Sequence, residues 1–147
     1  MKRHENLQPL SRQHHNGLLA VLLLEKGIKR GADARQLCDF INWIFTEDLD
    51  LHFRLEEQHL VPLMQQHPEL AEMAARLLDE HRLLQELKGQ INAALNPSDA
   101  AAFADLLEKH IRFEERVAFP AAENYLTPEE MNGLGSALPA HDDQNCM

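Results

Sequence analysis

The sequence predicts an all-α protein, an antiparallel up-down-up-down four-helix bundle with a short C-terminal helix, and three observations lead there. Hydrophobic residues form 44% of the 147-residue chain but aromatics only 5%. Leucine and alanine recur in long stretches with few β-branched neighbours, which favours helix packed on helix. Apolar residues and histidines repeat at three- and four-residue spacings through four stretches joined by short breaks. Within them the phrase HFRLEEQHLVP, residues 52–62, returns fifty-eight positions later as HIRFEERVAFP, residues 110–120.

The first helix is expected from about Pro9 to Lys26, with Leu7, Leu10, His14, Leu18 and Val21 on one stripe and Gly27 as its stop. After the loop GIKRG, Asp33 and Gln36 have the spacing of a capping box and open a long second helix. That helix runs through Phe40, Ile41, Ile44, Phe45, Leu49, His52, Glu56 and Leu60, and Pro62 marks its kink or end. Pro68 suits a first helical position and starts helix 3, on which Leu70, Met73, Ala74, Leu77, His81, Leu84 and Leu87 lie near one face until Asn96-Pro97 breaks it. Ser98 is the expected N-cap of helix 4, which carries Phe103, Leu106, Leu107, His110, Phe113 and Glu114 toward Pro120. Thr127-Pro128-Glu129-Glu130 reads as the start of a short fifth helix, about 127–133, followed by a loose tail over about 134–147. The whole chain, 1–147, reads as one domain, its bundle spanning about 7–125.

A formal charge of -10 with no marked Lys/Arg cluster argues against nucleic acid and anionic membrane as partners. The N-terminus, MKRHENLQPL, lacks an apolar signal core, and no stretch approaches the ~20 apolar residues of a membrane span, so a soluble cytoplasmic protein is expected. Cys38 reads as a core residue and Cys146 as part of the tail, both reduced.

The repeated phrase carries the chemistry. In both copies the histidine and the first glutamate are four apart, one helical turn on the same face. Phe45 and Leu49 precede His52, and Phe103, Leu106 and Leu107 precede His110, at spacings that place both His/Glu pairs on the buried stripe. Buried carboxylates without partners cost several kcal/mol each. The arginines of the phrase, Arg54 and Arg112, point away from that stripe, so a bound cation is the economical counter-charge. On helix 1, His14 continues the apolar stripe better than His15, and on helix 3 only His81 lies among leucines. The candidate metal ligands are therefore His14, His52, Glu56, His81, His110 and Glu114. Four imidazoles with two carboxylates suit iron, are compatible with manganese or zinc, and do not suit calcium or magnesium. Six ligands exceed one tetrahedral zinc and suit two ions bridged by the glutamates, with a position left for a small ligand.

A lone histidine is more often a surface or satisfied core residue, but two matched copies facing two further stripe histidines favour metal. Glu57 and Glu115 fall off the stripe and read as solvated surface; His4, His67 and His141, at ends or loops, receive no role. Glu56 and His59 form one ExxH element of the ferritin-like kind, but Val117 stands where a second copy needs histidine, so His59 reads as supporting or solvent-facing. Trp43 and the phenylalanines are expected in the core, with Phe45 or Phe113 as candidates for lining a ligand pocket.

This placement, with HFRLEE and HIRFEE on helices 2 and 4 and histidines on helices 1 and 3, resembles the hemerythrin-like, or HHE cation-binding, domain over residues 7–125. The resemblance implies a bundle holding a non-haem di-iron centre, oxo- or hydroxo-bridged when oxidised, that binds dioxygen or responds to oxygen, nitric oxide or peroxide. It carries the ligand role to the same six residues. Oxygen-carrying members use an HxxxH pair on helix 3, where Leu77 and Gln85 flank His81 here, and familiar members place the last carboxylate five residues after the histidine, at Glu115. Glu114 is preferred because the repeat equates it with Glu56; His15 and Glu115 remain open. The favoured function is non-catalytic binding of dioxygen or a related oxidant, for sensing or for oxygen and iron buffering. The alternatives are a di-iron enzyme (peroxidase, ferroxidase or nitric-oxide handling) and a zinc-stapled structural module.

Overall fold

A computed structural model of the chain describes residues 3–139; Cys146, His141 and the tail from residue 140 lie outside them. Five helices follow one another: α1 (Gln8–Lys29), α2 (34–65), α3 (Ala71–Ala94), α4 (97–125) and α5 (Pro128–Ala137). No strand is present among the described residues. Helix α4 packs along both α1 and α3, and α2 completes the bundle against them, with α5 folded back on one end. This is the all-α bundle with a short C-terminal helix that the sequence predicts.

Local signals fix most of the boundaries. Asp33 accepts from the Gln36 N–H at 2.9 Å while Gln36 Oε1 accepts from the Asp33 N–H at 3.2 Å, the expected capping box of α2. Thr127 and Glu130 repeat the arrangement at α5. Elsewhere the structure corrects the reading. Helix α1 does not stop at Gly27; it runs three residues past Lys26, and the chain turns at Gly31, whose φ is +78°. Gly27 instead gives α1 its close approach to α2, where a Cβ would stand 3.3 Å from Leu37 Cδ2. The N-cap of α4 is Asn96, which accepts from the Ser98 N–H at 3.0 Å, and Pro97 opens that helix because a first-turn residue needs no N–H donor. Pro68 sits in a turn, and α3 begins at Ala71. Helix α5 continues to Ala137, four residues beyond its expected end, with Met131, Leu134 and Leu138 anchored in the core.

Three π-helical turns interrupt the long helices, at Phe45–Leu49, Glu56–Leu60 and Glu114–Ala118. The last two begin at the glutamates of the repeated phrase. In each, the N–H six residues into the wide turn reaches back to the glutamate carbonyl, Val61 to Glu56 and Phe119 to Glu114. The next residue is the proline, Pro62 or Pro120, which has no N–H to offer; the widened turn lets α2 pass Pro62 and continue to Gln65.

The core is divided. One apolar cluster joins Leu10, Leu60, Met64, Leu77 and Phe119 to α5, and the other joins Val21, Ile41, Phe45, Phe53, Phe103 and Ile111. Along every long helix the buried histidine falls where one cluster gives way to the other. Cys38 is buried as expected, its thiol 3.3 Å from Asn92 Oδ1. Trp43 is not core: it is 55% exposed and stacks on Phe40, because the buried stripe through Leu37, Cys38, Ile41, Ile44 and Phe45 leaves position 43 on the outer face. Phe103→Ala is expected to lower unfolding free energy by about 3–5 kcal/mol, and Asp33→Ala by about 1 kcal/mol, in urea titrations followed by circular dichroism.

Candidate metal centre

Each long helix delivers one histidine to the level between the two clusters, and α2 and α4 add one glutamate each. His14, His52, Glu56, His81, His110 and Glu114 are all buried, the two carboxylates with no exposed surface at all. They form two groups that could each hold a cation: His14, His52, Glu56 and Glu114 in one, Glu56, His81, His110 and Glu114 in the other, with donor atoms within 4.8 Å of one another in each. Glu56 and Glu114 belong to both. His52 Nε2 lies 3.1 Å from Glu56 Oε2 and His81 Nε2 2.9 Å from Glu56 Oε1, while Glu114 receives His14 Nε2 at 2.6 Å and faces His110 Nε2 at 3.4 Å.

Most of these short approaches lack hydrogen-bond geometry. The Nε2 atoms of His52, His81 and His110, both oxygens of Glu56 and Glu114 Oε2 are buried with no hydrogen-bond partner. Orphaned nitrogen and oxygen donors converging from three helices, with His14 of the fourth beside them, are costly unless something binds between them, and the donor set fits two cations sharing the carboxylates.

The outward-facing Nδ1 atoms are all occupied, and the pattern runs once around the bundle. Gln13 on α1 takes His52 of α2 at 2.5 Å, Glu57 on α2 takes His81 of α3 at 2.7 Å, Glu80 on α3 takes His110 of α4 at 2.7 Å, and Glu115 on α4 takes His14 of α1 at 2.7 Å. Each helix thereby fixes the ring of the next and presents its Nε2 to the centre. Glu57 and Glu115 are thus not idle surface residues, as the sequence reading had them. The signal for this ring was present as the dipeptides QH on α1 and EH on α3 and as the second glutamate of each repeat. Glu115 also accepts from the Ser11 hydroxyl and faces Arg3 at 3.4 Å, and Glu80 faces Arg76 at 3.0 Å.

His15 is exposed, and His59, half-buried, faces Gln58, Pro62 and Glu130 in a cleft outside the centre. His67 pairs with Glu130 at 2.8 Å. Leu77 is core and Gln85 exposed, so neither reaches the centre beside His81. A cavity of about 10 Å³ adjoins His14, His52 and His110, with Gln13, Gly17, Asp48, Leu49, Phe53, Leu107 and Ile111 as its walls. Phe53, rather than Phe45 or Phe113, is the aromatic at this cavity, and it also stacks on His81 at 4.0 Å. Gly17 keeps α1 tight against α4, since a Cβ there would meet Ile111 Cδ1 at 2.7 Å.

A helical bundle with a buried imidazole and carboxylate cage shared between two positions defines a class of cation-binding protein. The hemerythrin HHE cation-binding domain model matches residues 7–122, and the chain belongs to that family. No curated protein and no solved structure gives a significant match. No helix among the described residues is long and apolar enough to cross a membrane.

Electrostatics couple the cage to pH. Burial pushes His52 down, but Glu56 and Glu114 outweigh it and carry the imidazole up to about 10; for His110 burial is outweighed by Glu114, Glu80 and Glu56, again to about 10. Burial raises Glu114, yet His110, His14 and His52 hold it well below the usual carboxylate range. In the metal-free protein the histidine contribution to stability is complete below their unfolded value of about 6.5 and is lost as pH rises through about 10. The Glu114 contribution is present above the ordinary carboxylate range and is lost as pH falls. Chelated protein should therefore melt progressively lower between pH 7 and 10. Reconstituted protein, whose cations replace those protons, should hold its melting temperature over the same window.

Proposed function

We propose that this chain is a cytoplasmic non-haem di-iron protein that binds dioxygen, nitric oxide or peroxide in the bundle core, to sense the molecule or to buffer oxygen and iron. The observation that carries the reading is the sharing of Glu56 and Glu114 by two four-residue groups of identical make-up, two imidazoles and two carboxylates each. In this reading His14 and His52 hold one ion, His81 and His110 the other, and the glutamates bridge them. Mixed nitrogen and oxygen donors suit iron and do not suit calcium or magnesium.

Iron held by these residues would supply redox chemistry and affinity for a small oxidant. The chain's own contribution is placement and exclusion. The ring of Nδ1 contacts fixes each imidazole, and the apolar clusters keep bulk water from the cage. The cavity beside His14 and His52 has room for about one water-sized molecule, which limits the ligand to a few atoms. His15 and His59 stand outside the cage, so neither is placed as a proton donor for turnover, and Asp48, in the cavity wall, is the acidic group that adjoins the ligand position.

Metal analysis by mass spectrometry, with absorption recorded without air and again after air, tests the proposal. The expected result is about two irons per chain and new near-ultraviolet charge-transfer absorption on oxidation, with iron lost from His52→Ala and His110→Ala. Zinc alone, or no metal after anaerobic loading with ferrous iron, would leave only the fold. Sustained consumption of peroxide or nitric oxide under excess reductant would identify an enzyme instead.

A further inference from the structure

The ring of acceptors around the cage has one odd member. Carboxylates hold His14, His81 and His110, but the acceptor for His52 Nδ1 is the amide oxygen of Gln13. The internal repeat supplies the comparison. Gln13 precedes His14 on α1 as Glu80 precedes His81 on α3, and each reaches the histidine of the following helix.

A carboxylate acceptor makes an imidazole more basic at its inner nitrogen, and hence a stronger donor to a cation, than a neutral amide does. The group built on His81 and His110 has two imidazoles backed in this way; the group built on His14 and His52 has one. Nearby arginines do not remove the difference, because each side has one of its backing carboxylates paired, Glu115 with Arg3 at 3.4 Å and Glu80 with Arg76 at 3.0 Å. The further carboxylate on the His52 side, Asp48, lines the cavity wall, but the acceptor at His52 Nδ1 is the Gln13 amide. The small cavity touches His14, His52 and Gln13, and from the other group only His110.

We propose that the two cation positions are unequal: the one framed by His81 and His110 fills first and retains its ion, and the one framed by His14 and His52, beside the cavity, is the exchangeable position. Gln13 is the positioning residue that sets the difference. The inference rests on the two-cation reading of the cage.

The test is a titration of the metal-free full-length chain with zinc(II) against a chromophoric chelator, with imidazole nitrogen NMR spectra recorded after one equivalent. Two steps separated by about 10-fold or more, beyond the statistical factor for identical positions, are expected, with His81 and His110 shifted in the one-equivalent species and His14 and His52 unshifted. Gln13→Glu should narrow the gap by tightening the second step, and Glu80→Gln should narrow it by weakening the first, with far-ultraviolet circular dichroism confirming that both variants fold. Two zinc ions bound without a gap, His14 and His52 shifting first, or a gap that neither variant moves would overturn the inference while leaving the two-cation reading intact. One zinc ion or none in total would overturn both.

Discussion

Everything in this protein is arranged around two carboxylates that have no contact with water. Glu56 and Glu114 are fully buried, and an ionised carboxylate in such a place costs several kcal/mol unless positive charge meets it. Imidazoles supply that charge when protonated, and the carboxylates outweigh burial to raise the preference for a proton at His14, His52 and His110, reaching about 10 at the last two. Protons and cations thus compete for one set of atoms. Uptake of a cation is at the same time release of protons, and the affinity of the cage rises with pH.

Geometry follows from the same demand. A glutamate that serves two positions must project to the middle of the bundle, and both glutamates stand at the first residue of a π-helical turn. The wider turn displaces the helix locally and re-aims the side chains before it. The proline that ends each repeat fits this distortion: Pro62 and Pro120 arrive where a backbone donor has been lost from the ladder. The histidine, the glutamate pair and the proline are one device, which explains why the phrase is kept whole in both halves of the chain.

The sequence was most informative where period and repetition agreed. Four amphipathic stretches set the helix count, and the equivalence of HFRLEE and HIRFEE favoured Glu114 over Glu115; Glu114 lies with Glu56 in both candidate groups, while Glu115 contacts His14 Nδ1. His14 was favoured over His15 because leucines mark its stripe, and in the fold His14 is buried and His15 exposed. Features that depend on contacts between helices were not legible. Gly27 resembled a stop signal, but whether a glycine ends a helix or lets another helix approach depends on what lies opposite, here Leu37. Trp43 was assigned to the core by residue type although its position on α2 faces outward. Glu57, Glu115 and Glu80 were hidden for a third reason. Their partners are histidines of neighbouring helices, and a side chain at the border of an apolar stripe can reach inward to a ring whether it stays partly exposed, as Glu57 and Glu115 do, or is buried, as Glu80 is.

The division of the core by the cage bears on the alignment of the helices. Leucine-rich interfaces are forgiving, because one turn of apolar surface resembles the next, and a helix could slide along its neighbours at modest cost. A slip of α3 by one turn, about 5.4 Å, would bring His81 level with leucines and carry its Nε2 away from Glu56, which it now approaches at 2.9 Å. The ring of outer acceptors would break at two links together, since every helix both gives and receives one. The polar layer therefore acts as a vernier on the bundle, choosing a single longitudinal setting from several that the apolar clusters alone would tolerate.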